Sequence, residues 1–285
     1  MKRFNSKIRL TLIIILLFGI TAKAQQFKPN TEVGVLLGAS YYLGDLNTAH
    51  FHQSLPGAGL IIRKNIDQRF AYKAEAIYLN LMSDERNSSD TIAKNRGLHF
   101  KSPVYEISGQ IEFNFLPYQP GNPLYTWTPF VYTGISIFHF NPKAENKNGE
   151  WVALQELGTE GQGTITWSDE DRQLYSLIQF AIPIGGGIKV AVNESFNIIL
   201  EYGLRKTFTD YIDDVSTTYP GPNSMGIWPS EMSQLAQEMS DPTNNPQYNN
   251  AEKSRGNPEK KDWYAFAGIT PVSYTHLTLP TKRIV

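Results

Sequence analysis

SFNIILEYGLRK, residues 195–206, decides the fold class. Phe196, Ile198, Leu200, Tyr202 and Leu204 fall at every second position, with Asn197, Glu201, Gly203 and Arg205 between them and Ile199 the exception. Side chains alternate across a strand, so this spacing predicts one apolar and one polar face. VYEISGQIEFNF, residues 104–115, repeats the pattern. Tyr105, Ile107, Ile111, Phe113 and Phe115 oppose Glu106, Ser108, Gln110, Glu112 and Asn114. In IQFAIPIGGGIKV, residues 178–190, Ile178, Phe180, Ile182, Ile184, Ile188 and Val190 oppose Gln179, Gly185, Gly187 and Lys189.

Eight such segments are expected, at 31–42, 55–64, 69–81, 102–115, 127–140, 174–192, 195–208 and 262–270, with weak alternation at 55–64 and 127–140. A soluble sandwich also alternates, but its polar face is rich in Lys and Thr. Here the polar faces carry Gly, Gln, Asn, Glu and a few basic partners, which suits a crowded lumen of paired charges. The connections 43–54, 82–101, 141–173 and 209–261 are long and polar; 65–68, 116–126 and 193–194 are shorter. Strict alternation of long loops and short turns is the rule of up-and-down membrane barrels. Aromatics near strand ends (Tyr41, Tyr42, Tyr78, Tyr105, Phe113, Phe115, Trp127, Phe138, Phe140, Trp263 and Tyr264) read as interface girdles. The expected fold is an all-β, eight-stranded antiparallel up-and-down transmembrane barrel of the outer-membrane type, with long loops extracellular and short turns periplasmic.

The ends of the chain fit this frame unequally. Residues 1–24 read as a signal peptide: Lys2, Arg3, Lys7 and Arg9 form a basic head, Leu10–Ile20 an apolar run, and Ala22-Lys23-Ala24 a cleavage site. Residues 25–270 are then the barrel. Pro271 removes a ladder donor, and Thr275, His276, Thr278 and Pro280 lack an apolar face. VSYTHLTLPT, Val272–Thr281, back-translates into the transposase adapter of short-read libraries, so residues 271–285 are expected to be an artefact and the eighth strand truncated near Thr270.

The chain has no cysteine, which excludes disulfides and thiolate metal sites. Its 26 basic residues include five in the leader and two in the tail, leaving 19 against 27 acidic, a net of −8. Nucleic acid is not an expected partner of so acidic a chain.

GASYYLGDLN, Gly38–Asn47, closes the first strand, and RKTFTDYIDDVSTTY, Arg205–Tyr219, leaves the seventh. With the AKAQ cleavage site, these stretches resemble the Bacteroidota outer-membrane barrel family that includes PorG, a component of the type IX secretion system, over about residues 27–270. The motif residues are Gly44, Asp45, Leu46 and Asn47, with Asp210, Tyr211, Asp213 and Asp214. The resemblance implies a scaffold that anchors a periplasmic lipoprotein ring beneath the outer membrane. The contact would lie on the longest periplasmic turn, at Leu116, Pro117, Tyr118, Pro120, Pro123 and Tyr125; its three prolines suit either a preorganised contact or a rigid turn.

Chemistry has few candidates. Asp45, Asp210, Asp213 and Asp214 are expected to converge at the outer rim, where Asp210, Asp213 and Asp214 could ligate calcium, or Asp213 and Asp214 could cap a turn and solvate a loop. Asp169-Glu170-Asp171 reads as a solvated tip, residues 220–261 as a mobile loop with a short helix at Met232–Met239, and Asp90-Thr91-Ile92 as a three-residue glycosylation motif. His99 and Ser102 are expected to face solvent; no triad, HExxH or phosphate loop is present, so no enzyme and no cofactor is expected. Lys73, Glu75, Glu106, Glu112, Lys189, Glu201 and Arg205 are expected to pair inside the lumen and plug it. The alternative function is a surface barrel that binds a ligand or host through its long loops.

Overall fold

The computed structural model describes residues 29–163, 172–220, 233–243 and 253–275. The expected signal peptide, the tip Asp169–Asp171, part of the fourth long loop and the tail beyond Thr275 lie outside the described residues. Eight long strands run in chain order: β1 (Asn30–Leu43), β2 (Leu55–Asn65), β3 (Phe70–Asp84), β4 (His99–Asn114), β5 (Trp127–Phe140), β8 (Ile178–Ala191), β9 (Phe196–Thr207) and β10 (Trp263–Thr275). Each pairs antiparallel with the next, and β10 pairs with β1, so the sheet closes on itself. Closure leaves no open edge, the condition for crossing a bilayer with strands. Two short strands, β6 (Lys143–Glu145) and β7 (Trp151–Ala153), form a hairpin in the connection between β5 and β8, which the sequence pattern did not suggest.

The alternation predicts the faces well. Ile107, Ile135, Phe180, Leu60 and Leu200 point outward and stay exposed, whereas Glu106, Glu112, Glu201 and Arg205 point inward and are buried. An apolar exterior around a charged interior inverts a water-soluble barrel; it is the arrangement that hydrocarbon requires. No described helix is long and apolar enough to cross a membrane.

Several expectations need correction. Tyr41, Tyr42, Phe138, Phe140 and Tyr264 are not girdle residues, because each is 0–1% exposed. Tyr42, Phe138, Phe140 and Tyr264 sit at inward positions and fill the long-loop half of the lumen together with Leu79, Leu81, Phe100 and Phe266. Tyr78, Tyr105, Phe115 and Trp127 remain at the surface. β3 and β4 run past the expected boundaries to a final pair Asp84↔His99, because Gln53 bonds both backbone groups of Asp84. β10 continues through Pro271: Ile198 faces Pro271 on one side, and Thr31↔Thr275 ends the pairing with β1. On the β1 side the ladder is interrupted at Thr270 and Pro271, between Leu37↔Ile269 and Gly34↔Val272, as expected where a donor is missing.

Two inward glycines face each other across β8 and β9, Gly185↔Gly203. A Cβ on Gly185 would lie 2.5 Å from Tyr132 Cζ, and one on Gly203 would collide with the Tyr132 hydroxyl. These glycines therefore admit the ring that divides the polar lumen from the apolar one.

Candidate functional site

Three places carry the polar chemistry: the lumen, the rim at the long-loop end, and the short-turn end. In the lumen, Arg63 sits between Glu32 (2.9 Å) and Glu112 (2.7 Å). Lys189 reaches Glu112 at 2.5 Å, and Lys73 reaches Glu75 at 3.0 Å and Glu201 at 3.3 Å. Arg205 joins Glu75 (2.9 Å) to Glu106 (3.2 Å), which also accepts from the Tyr264 hydroxyl at 2.8 Å. All these charged side chains are buried, and all seven lumen charges expected from the sequence belong to this network. Lys73 and Lys189 also lie over the Tyr132 and Phe130 rings, at 4.4 and 4.7 Å from the centroids. Glu32 and Arg63 were missed. Their signal was a cross-strand pair, Glu32↔Arg63, hidden by the weak alternation of β2.

At the rim, Asp45, Asp210, Asp213 and Asp214 do come together, but not as a solvated loop: Asp210, Asp213 and Asp214 are at most 2% exposed. Two further carboxylates, Asp262 and Glu160, are equally buried. The Tyr42 hydroxyl lies 2.5 Å from Asp213 Oδ2 and 2.7 Å from Asp262 Oδ1. Gly44 is needed beside them, since a Cβ there would meet both the Tyr42 hydroxyl and Asp262. Gly44 N–H donates to Asn47 O at 2.8 Å, Asn47 Nδ2 donates to Tyr42 O at 2.7 Å, and Leu46 is buried beneath them. Asp45 Oδ2 accepts from Asn257 N–H at 2.8 Å.

The described parts of the third and fourth long loops interlock over this rim. Glu160 accepts from Ser216 N–H and Thr217 N–H, both at 2.9 Å, and pairs with Arg255 at 3.2 Å. Asp214, in the left-handed region at φ 64°, accepts from the Tyr175 hydroxyl at 2.7 Å and from Thr159. Tyr175 stacks on Tyr211 at 4.6 Å and on Phe140 at 6.1 Å, so an aromatic column joins barrel to cap. A helix at Ser233–Ser240 packs Ala236 and Met239 against Ala144, Leu154 and Leu157 of the third loop. The expected mobile loop is thus, in its described residues, a folded cap. Its Pro, Asn and Ser content concealed the anchors Arg255 and Met239.

Burial pushes Asp214 up to about 6 and Asp210 up to about 7; burial and then neighbouring carboxylates push Asp262 well above the usual range. Among the described residues no group of three or more His, Asp or Glu side chains is arranged to hold a metal ion. Of the two readings of these residues, Asp213 caps a turn through Val215 N–H, and the oxygens of Asp213 and Asp214 turn to tyrosines, Thr159 and backbone N–H groups rather than to one common point.

At the short-turn end, Tyr118 corrects the expected contact set: it is 2% exposed and lies over the lumen, 6.0 Å from Lys189 Nζ. Leu116 is exposed, Pro123 lies at the surface, and Pro117, Pro120 and Tyr125 are half-buried. Leu124, absent from that set, is 79% exposed. The turn is tied down by Tyr118 N–H to Gln68 O at 3.0 Å, Gln119 N–H to Tyr125 O at 3.1 Å and Arg69 to Phe115 O at 2.6 Å.

His99 and Ser102 are buried rather than solvent-facing. His99 Nε2 accepts from Glu145 N–H at 3.0 Å, which requires the tautomer with Nδ1–H, and Nδ1 lies 3.2 Å from Gly97 O. Both ring nitrogens therefore serve backbone groups, and Ser102 bonds Asn141 N–H instead.

Comparison with solved structures finds similar chains. The N-terminal β-barrel domain of Pseudomonas aeruginosa OprF is 11% identical, with 86% of this chain and 99% of that chain covered and a TM-score of 0.36. Ail of Yersinia pestis, in complex with the heparin analogue sucrose octasulfate, is 8% identical (87% and 99% covered, TM-score 0.39). Neisserial surface protein A is 9% identical (87% and 99% covered, TM-score 0.38). Identities this low carry nothing about binding or activity. No curated protein matches the chain. The model of a domain of unknown function, DUF6089, matches residues 7–155, more than half of the chain, and the chain belongs to that family.

Proposed function

We propose that this protein is a non-catalytic outer-membrane scaffold that, as its resemblance to the PorG family implies, anchors a periplasmic lipoprotein ring of type IX secretion machinery at the outer membrane. The observation that carries the reading is the division of labour between the two ends. The lumen is filled with paired charge and aromatic rings, which favours a plugged support over a pore. The short-turn end holds a backbone-bonded, proline-rich turn with Leu124 exposed at its tip. A stiff loop loses little freedom on docking. In this reading the short turns are periplasmic and the long loops face outward.

The test is to tag the protein in its own host and identify what copurifies from gently solubilised outer membrane. Recovery of a periplasmic lipoprotein ring, lost on Leu124→Asp while the barrel stays folded, is the expected result. Normal secretion of proteins with type IX C-terminal signals in a deletion strain would sink the idea.

A second reading, an outward ligand-binding barrel, is favoured by an open cleft of about 970 Å³ between the first, second and fourth long loops, with Asn47, His52, Ser88, Arg96 and Tyr219 in its walls. Filling it with Ser89→Trp and Ala93→Trp should then abolish surface binding and leave secretion intact.

A further inference from the structure

We propose that the rim cluster is a proton lock, in which Asp213, Tyr42 and Asp262 share one proton beyond that of the phenol and thereby hold the long-loop cap on the barrel mouth. The geometry rests on counting hydrogens. Tyr42 has one hydroxyl hydrogen, yet its oxygen lies 2.5 Å from Asp213 and 2.7 Å from Asp262. The hydrogen can enter only one of these contacts. The other brings a carboxyl oxygen against a phenol lone pair, which holds together only if that carboxyl carries a proton and donates it. Both carboxyls are at most 1% exposed, so water does not relieve the contact.

The groups facing the pair come from every surrounding element. Asp45 acts on Asp213, and Asp210 acts on both Asp213 and Asp262. The nearby cations are engaged elsewhere: Arg255 with Glu160 and the Asp214 backbone, and Arg96 with Glu85. His99, which lines the same small cavity as Asp213 and Arg255, has both ring nitrogens against backbone groups. Lys261 acts on Asp210 and donates its ammonium to Pro258 O at 2.8 Å. A proton is therefore the remaining way to neutralise the pair.

Mechanically, the pair is a clasp. Asp213 Oδ1 takes Val215 N–H at 3.0 Å, Asp262 Oδ2 takes Ile212 N–H at 2.9 Å, and Tyr42 stands at the end of β1. Burial first, and then neighbouring carboxylates (Asp45 and Asp210 for Asp213, Asp213 and Asp210 for Asp262), pushes both acids upward. An acid that holds its proton more tightly folded than unfolded stabilises the fold most at low pH. That contribution is lost as pH rises through the folded value. The lock closes towards acid and loosens towards alkali.

The experiment uses the full chain folded in lipid vesicles. Infrared spectra near neutral pH should show a protonated-carboxyl carbonyl band that Asp262→Asn and Asp213→Asn each weaken. Proteolysis of the cap, relative to the heat-unfolded chain, should accelerate on the order of tenfold between about pH 6 and about pH 9 in wild type. It should accelerate clearly less in Asp262→Asn, whose amide donates at every pH, the remaining slope coming from Asp210 and Asp214. If Asp262→Asn does not fold, Asp213→Asn reads the same bond from its other side. Absence of the band in wild type, or an unchanged pH profile in the folded variant, overturns the proposal.

Discussion

Arg63 and Glu112 meet as fork on fork, Nε to Oε2 at 2.7 Å and Nη2 to Oε1 at 3.0 Å, inside a lumen that neither shares with water. Glu112 also receives Lys189. With Lys73 at 3.9 Å as well, one carboxylate thus compensates three buried cations, and it is the group whose removal should hurt most. Glu112→Ala is expected to cost about 3–5 kcal/mol, the usual penalty for stranding buried charge. Urea unfolding in vesicles would measure it; a loss below about 1 kcal/mol, the scale of exposed pairs, would mean that the lumen is hydrated.

The filled interior makes a second prediction. In planar bilayers the wild-type protein should show no steady ion conductance, since an eight-stranded barrel is only wide enough for its own side chains. A persistent open channel would contradict the paired network.

Crowding at Tyr132 can be tested by a double-mutant cycle. Gly203→Ala should destabilise the barrel by about 1–3 kcal/mol, the range of overpacked sites. Tyr132→Phe removes the atom nearest the new methyl and should recover much of that loss. Purely additive unfolding energies would place the strain elsewhere.

In the cap, Arg255 lowers the affinity of Asp214 for protons, against the burial that pushes it up to about 6. Arg255→Met should therefore raise the Asp214 value further. A carboxyl with a raised folded pKa loses its stabilising contribution as pH rises through that value, so the cap of this variant should weaken between about pH 6 and about pH 8 while the barrel stays intact. Cleavage of the loops without loss of heat-resistant migration is the readout.

These predictions rest on unequal parts of the sequence. Glu201 and Arg205 were legible because Phe196 to Leu204 beat out a clear period of two. Arg63 was not, because the inward positions that precede it in β2 include Gly57 and Gly59, and a glycine gives alternation no sign. Tyr42 and Tyr264 misled for a different reason. Aromatics at strand ends suit an interface, but parity turned these two inward, against Asp213 and Glu106. Asp213-Asp214 reads as solvated because charge is normally exposed. Only the fold reveals Tyr42, Tyr175 and Arg255 above them. The turn at Leu116–Thr126 was placed correctly, but which of its side chains face out depends on how Tyr118 drops into the lumen.

The bonds from Glu160 to Ser216 and Thr217 have a consequence for whatever meets this end of the barrel. The surface there is assembled from segments more than fifty residues apart. A synthetic peptide copied from either loop would not hold its shape, and antisera raised against such peptides would recognise the unfolded chain rather than the native one.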